Sequence, residues 1–116
     1  MATFTVLIRE QISASNQQLF DVLTQKLGMV PNLYAIFVHS DNALSNYLTF
    51  QQEQAKGAFN ARLREAIYIT VSQVNGCAYC LAAHTVLGKM NGFSDEQLFG
   101  IRASCRPIIK AQRTLF

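Results

Sequence analysis

From Ser13 onward the apolar positions recur at helical spacing, and glycine, proline or asparagine interrupts them at intervals. Ser13 or Ser15 is placed to cap a first helix. Phe20, Leu23 and Leu27 form its stripe, and Gly28 is placed to end it. Pro31 suits the first turn of a short second helix, Asn32 to His39. Asp41 is the expected cap of a third, with Leu44, Tyr47 and Leu48 on one face. Asn60 is placed to cap a fourth helix whose stripe reads Leu63, Ala66, Ile67, Thr70, Val71 and Val74.

Within that fourth segment, Ile67 to Val71 would suit a strand by composition alone. The helical stripe is longer and a good helix start precedes it, so a helix is expected. Asn75-Gly76 then turns the chain into a fifth helix, from about Cys77 to Met90, which Asn91-Gly92 stops. Ser94-Asp95-Glu96-Gln97 has the pattern of a capping box and should open a sixth helix, ended before Pro107. No period-2 strand, repeat or low-complexity tract breaks the series. The expected fold is all-α: a compact bundle of about six helices in one domain over residues 1–116, its core about 15–104.

Composition adds a constraint on the surface. Half of the 116 residues are hydrophobic and only 15% are charged, against roughly 25% charged in an average domain. Disorder is excluded, and a small protein with so few charges is expected to bury apolar surface against another subunit. Ten Lys/Arg against seven Asp/Glu give a net charge of +3 with no basic run, which argues against nucleic acid. No apolar stretch approaches the ~20 residues of a bilayer span. The start, Met-Ala-Thr-Phe-Thr, has no basic segment followed by an apolar one, so a cytosolic protein is expected. In that compartment three cysteines read as catalytic or metal-binding rather than as a disulfide framework.

The chemically useful side chains gather between Glu65 and His84. At ~100° per residue, a helix from Cys77 places Cys80 about 60° and His84 about 20° away from it in angle, so all three share a face. His84 leans back over the turn carrying Cys80. The exposed N–H groups of the first turn favour a negative sulfur on Cys77 or Cys80, and a histidine one turn away is able to take the proton. Two cysteines at this spacing can close into a disulfide after one is oxidised. Glu65, on the preceding helix, lies about 15 Å of rise before the turn and His84 ~10 Å after Cys77. The two are therefore able to meet across the helix pair, the carboxylate orienting the imidazole.

The same residues admit plainer accounts. Cys77, Cys80, His84 and Glu65 are all zinc-ligand types, although paired structural ligands usually sit on a loop and His84 is two turns away. A c-type haem site is excluded, since Leu81 stands where its histidine must follow the second cysteine. Arg62 or Arg64 can pair with Glu65 on an ordinary helix surface. Tyr79 faces away from the cysteines, Cys105 reads as a small buried hydrophobe, and His39 as a cation at a helix end.

Glu65, Val71-Ser72, Asn75, Cys77, Tyr79, Cys80 and His84 together resemble the signature of the AhpD-like alkylhydroperoxidases of the carboxymuconolactone decarboxylase superfamily. Upstream, Gly28-Met-Val-Pro31-Asn32-Leu and Val38-His39-Ser40 are similar to the family's Gly-x-Val-Pro-Asn and Ala-His-Ser stretches, and Phe50, Gly57 and Arg62 follow at similar spacing. The resemblance runs from Ser15 to Arg102. It implies an all-α homo-oligomer, commonly a trimer or hexamer, that reduces organic hydroperoxides without metal or flavin. By that similarity Cys80 is the attacking thiolate, Cys77 resolves its sulfenic acid, His84 carries the proton and Glu65 holds His84. A dithiol donor such as a lipoyl-bearing protein resets the pair. The superfamily's true decarboxylases lack the cysteine pair, so the resemblance argues against decarboxylation.

Two departures bear on this. Tyr79 stands where family members often carry histidine, which implies a shorter relay. Many members continue for several more helices, so part of the pocket wall is expected to be missing or supplied by a neighbour. From the residues themselves, the alternatives are a thiol–disulfide oxidoreductase and a non-catalytic helical assembly or zinc-binding module. An apolar lining of Phe50, Tyr68 and Val86 would favour an organic peroxide over the first of these.

Overall fold

The computed structural model describes residues 3–105, and over them the secondary structure is entirely helical. A 3-10 turn at Arg9–Gln11 precedes six α-helices: α1 (Ala14–Leu27), α2 (Asn32–Phe37), α3 (Ala43–Gln54), α4 (Ala61–Asn75), α5 (Ala78–Met90) and α6 (Asp95–Ser104). None is long and apolar enough to cross a membrane. The chain divides into two compact units, Met1–Lys56 and Gly57–Phe116.

In the first unit, Ser13 caps α1, its hydroxyl accepting from the Asn16 N–H, and Gly28 ends it at φ 77°. That left-handed conformation carries little steric cost only without a Cβ. Ile12, Phe20, Leu23, Ala35, Val38 and Leu44 form the core. Asn16 is fully buried among them, its side-chain amide donating to the Ser40 carbonyl at 3.2 Å. Outside the core, Arg9 forms a two-pronged ion pair with Asp21, at 2.7 and 2.8 Å. The hydrogen bonds from Arg9 hold the Asp21 carboxyl below its usual range. Their small contribution to stability is present at neutral pH and fades as acid protonates Asp21.

Three sequence expectations shift here. Leu27, expected in the α1 stripe, is 42% exposed, because the helix's buried face is spent on Asn16, Phe20 and Leu23. Pro31 is the N-cap of α2 rather than a first-turn residue, and the helix ends at Phe37, short of His39. The residue that caps α3 is Asn42, not Asp41. Its carbonyl accepts from the Asn46 N–H, closing the first turn, while its side-chain oxygen accepts from the Ser40 hydroxyl. His39 Nε2 donates to the Thr5 carbonyl at 2.7 Å, and Phe4 meets its ring edge-on.

In the second unit, Asn60 caps α4 and Ser94 opens α6 with the expected capping box to Gln97. α4 packs on both α5 and α6. α5 comes close at Gly88, where a Cβ would lie 3.0 Å from Leu98 Cδ2 and 3.4 Å from Ile69 Cδ1. Ile69, Leu98 and Cys105 are buried around this approach. The Cys105 thiol points to the Ile101 carbonyl at 3.3 Å, in keeping with a small buried group.

The expected stripe of α4 is only partly covered, with Ala66, Thr70 and Val74 half-buried. Leu63, Ile67 and Val71 are 45%, 40% and 51% exposed, while Ile69 and Ser72 are buried and Glu65 and Tyr68 half-buried. At ~100° per residue these two sets lie on nearly opposite sides of the helix. This inward face is the more polar one, and its carboxylate, Glu65, has a hydrogen-bond partner on α5, so burying it leaves no unpaired charge.

Candidate active site

The turn between α4 and α5 sets the position of the first cysteine. Gly76 ends α4 at φ 66°, and the Cys77 N–H reaches back to the Ser72 carbonyl at 3.0 Å. This six-to-one bond is the Schellman closure of a helix end. The residue that completes it is also the N-cap of α5, with Cys77 at φ −81°, ψ 96°. The end of one helix thereby fixes the start of the next.

Cys77 is thus just outside the helix, where the regular-helix construction had placed it inside. Its Sγ accepts from the Cys80 N–H at 3.3 Å, the role a serine hydroxyl plays at an ordinary N-cap. Cys77 and Cys80 are joined as a disulfide with a Cα–Cα distance of 5.3 Å, inside the usual range of roughly 4.4–6.8 Å. The helix start thus accommodates the closed pair with ordinary backbone geometry. Both residues are half-buried, and Tyr79 between them is half-exposed.

Glu65 and His84 meet as the spacing allows: His84 Nδ1 lies 2.8 Å from Glu65 Oε2. The side chains are only 12% and 24% exposed respectively, so the pair is largely shielded from water. A carboxylate only accepts, so Nδ1 carries the hydrogen and Nε2 is left as the basic nitrogen. Arg62 and Arg64 have other engagements. The Arg62 guanidinium carbon lies 4.3 Å from the Phe93 ring centroid and its Nη2 donates to Gln97. Arg64 Nη1 donates to the Phe59 carbonyl at 2.7 Å.

The residue that sequence reasoning undervalued is Tyr68. Its ring lies on the His84 imidazole with centroids 4.6 Å apart and planes 15° from parallel. Its i, i+3 spacing from Glu65 was the available signal, since it puts both on one face of α4. Of the other expected lining residues, Phe50 and Val86 are 57% and 59% exposed. Among the described residues no group of three or more His, Cys, Asp or Glu side chains is arranged to hold a metal ion.

The arrangement is a dithiol at a helix start, one turn ahead of a histidine that a carboxylate holds by one edge and an aromatic ring covers on one face. It can exchange two electrons at sulfur and move a proton through Nε2.

The uncharacterized protein YdfG of Bacillus subtilis (strain 168) is 35% identical over 48 residues, which are 41% of this chain and 33% of that protein. The chain thus spans about a third of the length of that relative. No solved structure matches. A family model does, over residues 41–113, more than half the chain and including every residue of the site. The chain belongs to the carboxymuconolactone decarboxylase family, which includes the AhpD-like proteins.

Proposed function

We propose that this protein is a thiol-dependent peroxidase that reduces organic hydroperoxides through Cys77 and Cys80, with His84 and Glu65 as its proton relay. The observation that carries the reading is the 2.8 Å contact of His84 with Glu65 on the helix whose first turn holds the cysteine pair. A decarboxylase has no use for a closable dithiol, and a structural disulfide has no use for an oriented base.

In the first step His84 Nε2 takes the Cys80 thiol proton, and the thiolate attacks the terminal peroxide oxygen. The O–O bond breaks, the alkoxide recovers the proton as an alcohol, and Cys80 is left as a sulfenic acid. The Cys77 thiol then attacks that sulfur, forming the disulfide and releasing water. Two thiols are oxidised and one hydroperoxide is reduced to alcohol and water. An external dithiol, such as a lipoyl-bearing protein, restores the pair by two exchange steps. The protein acts without metal or flavin, in the reducing cytoplasm.

The test is a free-thiol count on metal-free reduced protein before and after one equivalent of an organic hydroperoxide. Two thiols should disappear, with Cys77–Cys80 linked on peptide mapping. Thiols inert to peroxide but quick to exchange with a disulfide substrate would favour a thiol–disulfide oxidoreductase. Inert thiols with stoichiometric zinc would leave only an assembly role.

The assembly proposed is a homo-oligomer, a trimer or hexamer, built partly on the outward face of α4. Leu63, Ile67 and Val71 form an exposed apolar row there that a lone subunit would leave in water. Light scattering should give a multiple of the 13.0 kDa chain mass. Ile67→Asp should shift that mass toward the single chain; a monomeric parent protein would remove the proposal.

A further inference from the structure

A histidine that moves a proton must hold one nitrogen in place, and a single hydrogen bond does not do so. The torsion that turns an imidazole about its Cβ–Cγ bond has broad, roughly two-fold wells. Glu65 selects which edge faces α4, because only Nδ1 can donate to it. It leaves the ring free to tilt about that bond. The Tyr68 ring, 4.6 Å away and 15° from parallel, restricts the tilt. Glu65 and Tyr68 come from successive turns of α4, so one helix supplies both constraints on a side chain of the other.

We propose that Tyr68 is a positioning residue for His84, its ring face fixing the imidazole plane so that Nε2 keeps its aim. The inference rests on the dithiol reading of the site and deepens it. Tyr68 is only half-buried, whereas its neighbours in sequence and space that fill the core, such as Ile69, are buried. A core-filling role therefore accounts for it less well than the stack does.

The experiment compares wild type, Tyr68→Phe, Tyr68→Leu, His84→Gln and the Tyr68→Leu/His84→Gln double variant. One reading is the His84 Hε1 resonance, which a stacked ring shifts upfield. The other is the rate at which iodoacetamide alkylates the reduced cysteine pair near neutral pH. Tyr68→Phe should keep both, since the ring is retained. Tyr68→Leu should lose the upfield shift and slow alkylation by about 3- to 10-fold. In the His84→Gln background the same leucine substitution should have no further effect, as two residues acting through one group are not additive.

An unchanged rate in Tyr68→Leu would overturn the proposal. So would Tyr68→Phe behaving like Tyr68→Leu, or an equal slowing in both backgrounds, which would mark a merely structural role. Alkylation needs a reactive thiol and no peroxide. If wild type alkylates with this coupling yet consumes no hydroperoxide, the peroxidase reading fails and the role of Tyr68 stands.

Discussion

Peroxide consumption by the Cys80→Ser variant is expected to fall to the uncatalysed background, a loss on the order of 10³-fold or more. Serine preserves the shape of the site but its hydroxyl is not ionised at neutral pH, so no nucleophile remains to take the peroxide oxygen. Cys77→Ser should behave differently. It should consume one equivalent in a rapid burst and then stop, with a sulfenic acid that a dimedone-type reagent traps on Cys80. The geometry makes this pair of variants a sharp test, because each sulfur has its own claim to be the attacking one. Cys80 lies four residues before His84 on the same helix. Cys77 sits at the helix start, its sulfur accepting the Cys80 N–H, a contact that favours negative charge there. Similarity to the family assigns attack to Cys80. A burst that survives in Cys80→Ser and vanishes in Cys77→Ser would exchange the two roles. Loss of the burst in neither would remove the dithiol mechanism.

Some of this site was legible in the sequence and some was not, for definite reasons. Capping chemistry is local, so Asn60, Gly76 and Ser94 could be placed from their immediate neighbours, and all three act as their residue types suggest. At the start of α3 the cap falls on Asn42, one residue past the expected Asp41, a shift of the size that local pattern leaves open at helix ends. Helix rise on either side of a tight turn allowed Glu65 to meet His84 without requiring it, and the packing of α5 on α4 makes the contact. The orientation of α4 was the larger miss. Of the stripe that periodicity marks, Ala66, Thr70 and Val74 are half-buried but Leu63, Ile67 and Val71 are exposed, while Ile69 and Ser72 on the other side are buried. Periodicity reports where apolar groups lie, not whether a polar group has a partner nineteen residues away. Tyr68 was expected only as pocket lining; spacing puts it on the face of α4 that carries Glu65, but its stack on His84 depends on side-chain torsions as well.

Glu65 should matter almost as much as the attacking sulfur, although it touches no substrate in the proposed mechanism. Glu65→Gln keeps an oxygen able to accept from His84 Nδ1 but removes the charge that strengthens that bond. Turnover at saturating peroxide should fall by on the order of 10- to 100-fold, with little change in the peroxide concentration giving half-maximal rate. Glu65→Ala should be worse, because it leaves a largely shielded Nδ1–H without its partner and frees the ring edge. That variant should also lose about 1–3 kcal/mol of folding stability in urea titrations. The two effects separate if the substitutions are combined with His84→Gln. A carboxylate acting through the imidazole has nothing left to do once the imidazole is gone, so Glu65→Gln should then change turnover no further. If it still costs an order of magnitude in that background, the carboxylate serves the thiols directly and the relay from Glu65 through His84 is wrong. If Glu65→Gln is as active as wild type, the 2.8 Å contact is a structural bond between α4 and α5, and the proton must leave the site by another route.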